Sequence, residues 1–382
     1  MKKILYITTV SRTINAFLIP HIEMLIDKGH VVDCACFIDK PIDKRLVSKG
    51  VKVYNIPFCR KPLSLRNLKA FWRLKSIQKK NEYDVVHVHT PIAALYGRIL
   101  KLWFPKIKII YTAHGYHFYK GAPKIAWCMF YPMEKLMARF TDVIININNE
   151  DYEITKNKLK PKMCYLINGV GIDLEDIIDT KLKGEDSNVR ELSFDKDDFI
   201  ILMIAELNHN KNQLQLIKAL ELIKNKYPKI KAISVGEGNK LKELKEELVK
   251  RGIEKNISFL GYRENINELI KISDIGILLS YREGLPKSVM EFMVHGKKVI
   301  GTNIRGIRDL IENESIGKLV EVGDYEATAR AIEEYYLEGD RSFNIPKEIE
   351  KYDVNNVISE LEYIYDALDL QDYYLPEKNI NI

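Results

Sequence analysis

The feature that most limits what this chain can fold into is an alternation, run through twice, of short apolar segments with longer segments of helical spacing. In the first half the apolar runs lie at 3–8, 31–37, 51–56, 85–89, 107–112, 143–146 and 164–167. Helical patterns separate them at 14–28, 43–49, 65–81, 92–104, 123–140 and 150–159. A strand that is apolar on both faces must be covered on both, and intervening helices supply that cover. The pattern therefore predicts an α/β domain built on a parallel sheet. The second half repeats it, with strands at 200–205, 231–235, 256–260, 274–279 and 298–301 and helices at 211–226, 240–250, 266–270 and after Pro286. With 382 residues there is length for two such Rossmann-like domains. The expected division is 1–170, 171–345 and a C-terminal segment 346–382, whose helix at 354–370 is amphipathic and whose tail from 371 has no pattern. Asn168-Gly169-Val170-Gly171 gives the backbone freedom to turn at the first boundary, and the charged stretch 181–198 suits an exposed connection.

Composition excludes several classes. A hydrophobic fraction of 46% supports packed cores. No apolar run approaches the roughly 20 residues of a transmembrane helix. The opening residues look briefly like a secretory leader, but Thr8, Thr9, Ser11 and Arg12 cut the apolar run short, so it reads as the first buried strand of a cytoplasmic protein. Five cysteines without a C-x-x-C read as reduced core thiols, with Cys34 and Cys36 neighbours on one strand that cannot readily bridge. From Arg60 to Lys80 the chain carries eight Lys or Arg and no acid, interleaved with Leu65, Leu68, Phe71 and Trp72. That stretch is either a solvated surface helix or a basic amphipathic face for anionic lipid. No nucleic-acid recognition motif accompanies it.

Ligands of parallel sheets bind at the carboxyl ends of the strands. The rule selects residues 9–13, His89-Thr90-Pro91 and 114–117 in the first half. His87 and His89 share a strand face, yet no third metal ligand is near, so His89 is expected to face the site and His87 to pack. In the second half Lys211 follows the first strand. A loop, Tyr281 to Gly284, opens a helix at Leu285-Pro286, and Gly296 closes it. Glu283 and Glu291 flank that helix start, where unpaired amides and a partial positive charge favour an anion. Gly236-Glu237-Gly238 lacks the third glycine of a dinucleotide fingerprint, so no redox cofactor is expected.

The run from Glu283 to Thr302, EGLPKSVMEFMVHGKKVIGT, resembles the donor site of family 4 glycosyltransferases, retaining enzymes of the GT-B fold. Residues 111–123 and 131–152, and the Arg305 loop, resemble capsular and exopolysaccharide-assembly members. The similarity spans about residues 3–370. It implies two Rossmann-like lobes facing across a cleft, with the last helix crossing back to the first lobe. It further implies a metal-independent transfer of a sugar from a UDP-sugar to a polyprenyl-diphosphate-linked saccharide, at the inner face of the plasma membrane. By it, Lys211 and Arg282 hold diphosphate, with Arg305 a further candidate, Glu291 holds the ribose, and Glu283 with Gly284, Leu285 and Pro286 holds the donor sugar. Arg263 lies by the base, His114 serves the transfer centre, and His89, Tyr116 and His117 lie on the acceptor side. Two departures stand out: Ser11-Arg12-Thr13 replaces a Gly-Gly pair, and Glu206 stands where an Arg is usual. The rival readings are a UDP-sugar 2-epimerase of similar fold and a non-catalytic sugar-nucleotide-binding scaffold.

Overall fold

The computed structural model describes residues 1–59, 61, 64–175, 177, 195, 197–339, 345 and 347–370. Arg60, most of the charged connection at 181–198 and the tail 371–382 lie outside the described residues. The chain forms two compact units, Met1–Gly171 together with Val354–Ile382, and Ile172–Asp353.

The first unit is built on β1 (Lys3–Val10), β2 (Val31–Phe37), β3 (Val53–Asn55), β4 (Val85–His89), β5 (Lys108–Ala113), β6 (Val143–Asn146) and β7 (Met163–Leu166). They form one parallel sheet in the order β3-β2-β1-β4-β5-β6-β7. Leu5, Ile7, Val86, Val88, Ile109 and Ile144 are fully buried, as two-sided cover requires. The helix Val354–Leu370 belongs to this unit. Its Tyr365 hydroxyl lies 2.8 Å from His87 Nδ1, and its Glu360 accepts two hydrogen bonds from Asn168. The second unit holds β8 (Phe199–Ile204), β9 (Ile230–Val235), β10 (Ile257–Gly261), β11 (Ile275–Leu278), β12 (Val299–Thr302) and β13 (Gly317–Val320), parallel in the order β10-β9-β8-β11-β12-β13. In each sheet the order runs outward in both directions from the first strand, so the loops after β1 and β4, and those after β8 and β11, leave on opposite faces.

Most expected elements form, with instructive exceptions. The pattern at 14–28 is two helices, Ser11–Phe17 and Ile19–Asp27, because Pro20 cannot donate within a helix and starts a new one. Strand β13 and the helix Tyr325–Glu338 arise where the sequence reading placed nothing. The segment expected to leave the second unit at 346 leaves at Val354, since Lys347–Tyr352 stays with that unit. Cys34 and Cys36 are buried free thiols, but Cys128 is exposed, so the thiols are not all core. On the helix Leu65–Asn81, Ala70, Phe71 and Leu74 turn inward while Leu65, Leu68 and Trp72 are exposed, which removes Phe71 from the outer apolar stripe. Among the described residues no helix is long and apolar enough to cross a membrane.

One buried ion pair joins two helices of the first unit. Arg98, with no exposed surface, donates to both oxygens of Glu134 at 2.7 and 3.0 Å, and its Nε donates to the Ala94 carbonyl at 3.0 Å. Its guanidinium also lies 4.3 Å from the centre of the Tyr111 ring. Removing one partner strands a desolvated charge, so Glu134→Ala is expected to cost about 3–5 kcal/mol in urea unfolding, whereas Arg98→Met with Glu134→Leu costs far less.

Candidate functional site

In the second unit the loops after β8, β11 and β12 are tied together. The Tyr281 amide donates to the Asn210 carbonyl at 2.8 Å, and Asn210 Nδ2 donates to the Arg282 carbonyl at 2.9 Å. The His209 and Tyr281 rings stack at 4.9 Å. Thr302, at the end of β12, donates its hydroxyl to the Ser280 carbonyl at 2.7 Å. Gly306 has φ of +77°, and a Cβ there would fall 2.0 Å from the Gly284 carbonyl oxygen, so only glycine allows this approach. The helix Lys287–Val294 is seated from below, where Phe292 packs on Gly276 of β11. A Cβ at that glycine would fall 2.4 Å from the ring.

These ties bring several expected residues together. Lys211 Nζ pairs with Glu283 Oε1 at 2.5 Å, both side chains largely buried. Arg305 is buried, and its Nε donates to the Glu283 carbonyl at 3.3 Å. Asn208 caps the turn that carries Lys211, accepting from the Lys211 amide at 3.1 Å. Glu291 lies one turn along the helix from Lys287, whose Nζ is 3.6 Å away. Burial pushes the Glu291 carboxyl above its ordinary range, and the Lys287 charge opposes that shift only in part. The amides of Gly284, Leu285, Lys287 and Ser288 carry no intramolecular hydrogen bond among the described residues. Pro286, grouped with them from the sequence, has no N–H to offer. The cluster thus offers a cation, two carboxylates and a helix start with open amides, a set suited to an anion bearing neighbouring hydroxyls.

One expected member, Arg263, and the departure noted at Glu206 stand apart from the cluster. Arg263 is exposed beyond β10 and makes no hydrogen bond or ion pair among the described residues. Glu206 is exposed, and its carboxylate likewise has no partner among them. No cation among the described residues balances that carboxylate. Asn210, Thr302 and Lys287 were not singled out from the sequence. The asparagine between a strand and a helix was the readable signal, since such residues hold turns through their side chains. A groove of about 500 Å³ lies elsewhere in this unit, lined by Glu312, Lys318, Arg330 and Glu334, and shares no residue with the cluster.

In the first unit the carboxyl ends of β1 and β4 meet through Thr9 and Thr90. The Thr9 amide donates to Thr90 Oγ1 at 3.0 Å, and the two hydroxyls lie 2.7 Å apart. Arg12, in the first turn of the helix Ser11–Phe17 where the Gly-Gly pair is missing, is held by Asp39 at 2.5 Å. His114 follows β5 and is half-buried, with Nε2 3.1 Å from His89 Nδ1. Burial lowers the His114 pKa to about 4, so the ring is neutral at ordinary pH. His89 is buried and backs His114 instead of facing open space, while His87 packs between Thr112 and Tyr365. Tyr116, expected on the acceptor side, is turned into the core. Its hydroxyl lies 2.8 Å from Thr155 Oγ1, and its ring stacks on Phe118. His117 is half-buried against Phe130.

Comparison with known proteins places this arrangement. Residues 3–148 match the family described as glycosyl transferase 4-like, and residues 185–352 match glycosyl transferases group 1. EpsD of Bacillus subtilis (strain 168), which carries a glycosyltransferase name, is 35% identical over 88% of this chain and 87% of its own. The Escherichia coli UDP-Gal:alpha-D-GlcNAc-diphosphoundecaprenol alpha-1,3-galactosyltransferase is 28% identical over 81% of each. Among solved structures, Anabaena HepE in complex with UDP and glucose superposes with a TM-score of 0.77 at 19% identity, over 96% of this chain and 100% of that one. The two parallel-sheet units, the matched families and these relatives agree: the chain belongs to the glycosyltransferases of GT-B fold and of the capsular and exopolysaccharide-assembly kind.

Proposed function

We propose that the protein moves a sugar from a UDP-sugar to a polyprenyl-diphosphate-linked saccharide, with retention of configuration and without a divalent ion, in surface polysaccharide synthesis. The observation that carries this reading is the Lys211–Glu283 pair at the joined ends of β8 and β11. With donor absent, the cation and the acid neutralise each other. When a nucleotide diphosphate arrives, Lys211 exchanges the carboxylate for phosphate and frees Glu283 to accept from a sugar hydroxyl. Arg282 and the open amides at the helix start answer the remaining charge, and Glu291 accepts from the ribose. Arg305, buried under the Glu283 carbonyl, holds the loop in place. Charge on the diphosphate grows as the glycosidic bond breaks, so donors fixed there favour the transition state over the bound substrate. His114, neutral, serves the transferring sugar through a hydrogen bond. The UDP and the lipid diphosphate are taken from what the E. coli relative's name states of that protein.

The lipid acceptor calls for a membrane surface, and the outer face of the helix Leu65–Asn81 supports one. Leu65, Leu68 and Trp72 are exposed, and Lys75 lies over the Trp72 and Trp103 rings at 5.0 and 4.6 Å. Lys69, Arg73, Lys79 and Lys80 share the helix, which has no acid. Aromatic and aliphatic groups bordered by cations fit anionic headgroups on the inner leaflet.

Two experiments test this reading. A panel of UDP-sugars offered with lipid-linked acceptor is expected to yield acceptor-dependent UDP release and a product with the donor's anomeric configuration. Lys211→Ala and Glu283→Gln are each expected to lower kcat/KM by about 10²–10³-fold, while Glu206→Ala stays within about twofold, as an exposed acid should. Release of free or epimerised sugar without acceptor would instead favour an epimerase. In flotation, the protein is expected to follow vesicles with anionic lipid and to ignore neutral ones. Replacing Lys69, Arg73 and Lys75 by Gln weakens that partition about 100-fold, at roughly 1 kcal/mol per charge. Unchanged flotation would remove the membrane part and leave the transfer intact.

A further inference from the structure

We infer that His89 is a positioning residue that fixes the tautomer of His114, so that His114 presents an N–H donor, on Nδ1, and not a basic nitrogen. This rests on the reading that His114 serves the transferring sugar. His89 Nδ1 and His114 Nε2 are 3.1 Å apart, and one proton lies between them. Two arrangements of neutral rings satisfy that contact. In the first, His89 carries its proton on Nδ1 and donates to His114 Nε2, which leaves the His114 proton on Nδ1. In the second, His114 donates from Nε2, and His89 must then carry its own proton on Nε2.

The surroundings of His89 decide between them. Its Nε2 is buried and has no hydrogen-bond partner among the described residues. The His87 ring lies against one face of His89 with centroids 4.3 Å apart and planes 29° apart, and Tyr6 stacks at 5.4 Å and 21°. An Nε2–H on His89 would therefore find no hydrogen-bond acceptor among the described residues. A buried N–H without an acceptor is among the rarest features of folded proteins, whereas an under-used acceptor is better tolerated. The first arrangement leaves only a lone pair at Nε2; the second leaves an orphaned donor. The second nitrogen of His114 keeps some exposure and has no partner among the described residues. It is the atom available to substrate. The His89 ring packs against Tyr6 and His87, which also lie 4.8 Å from each other, and His87 is held through both nitrogens, by Tyr365 at 2.8 Å and Thr112 at 2.8 Å.

The test is direct and does not need turnover. In full-length protein labelled with ¹⁵N-histidine, long-range ¹H–¹⁵N correlations report which nitrogen of each ring is protonated. The chain has eight histidines, and the signals of interest are those lost in His89→Asn and His114→Gln. Both rings are expected to be protonated on Nδ1; an Nε2–H on His114 overturns the inference. In kinetics, His89→Leu is expected to lower kcat about 10- to 100-fold with the KM for UDP-sugar nearly unchanged, as loss of orientation does. His89→Asn, whose amide can donate from nearly the same place as Nδ1, should restore most of the loss. A His114 tautomer unchanged in His89→Leu would show that His89 only fills space, and would also overturn the inference. If the tautomers are as expected but His114→Leu keeps full activity, the pair stands and the transfer-centre reading of His114 falls.

Discussion

Two loops that leave adjacent parallel strands on opposite faces of a sheet cannot cover the strand ends between them. That constraint governs both units. It operates between β1 and β4 in the first and between β8 and β11 in the second. The gap so created is where backbone polar groups meet without helices on top of them, and where side chains of distant sequence converge. In the second unit it is filled by Lys211 against Glu283, residues 72 positions apart. In the first it is filled by Thr9 against Thr90, with His89 at the end of β4 and His114 one strand further on.

The polar groups at these gaps are arranged differently, and the difference follows from solvent. The second unit keeps its charges paired and partly wet, so they can exchange partners at small cost. The first unit has replaced charge by a stack of neutral rings and hydroxyls. Burial holds His21 and His114 neutral down to about pH 4. Such rings orient hydrogen bonds without attracting counter-ions.

Much of this was legible in the sequence. Apolar runs bounded by turn residues located most strands to within a residue or two, the rule of carboxyl ends selected the loop of His114, and the helix start and the family resemblance selected Lys211 and Glu283. What escaped was non-local. Nothing in the letters around Tyr116 shows that its hydroxyl finds Thr155. Nor do they show that Arg305 sinks beneath the Glu283 carbonyl, or that Glu206 is left exposed. Spacing on a helix proposed Phe71 for the outer stripe, but the side with a sheet beneath it claims the larger apolar set. Strand β13 was missed because four residues at a sheet edge, one of them Lys318, carry too little periodicity to register.

The last helix carries a consequence for how the protein is made. Tyr365 closes on His87 and Tyr6, and Glu360 on Asn168, so the interior of the first unit is complete only when residues near the end of the chain are present. Domains ordinarily settle in order of synthesis. Here the earlier half emerges from the ribosome with its histidine stack open on one side and must wait through the translation of the whole later half, so a truncated product would lack a finished first unit even with all of its strands in place.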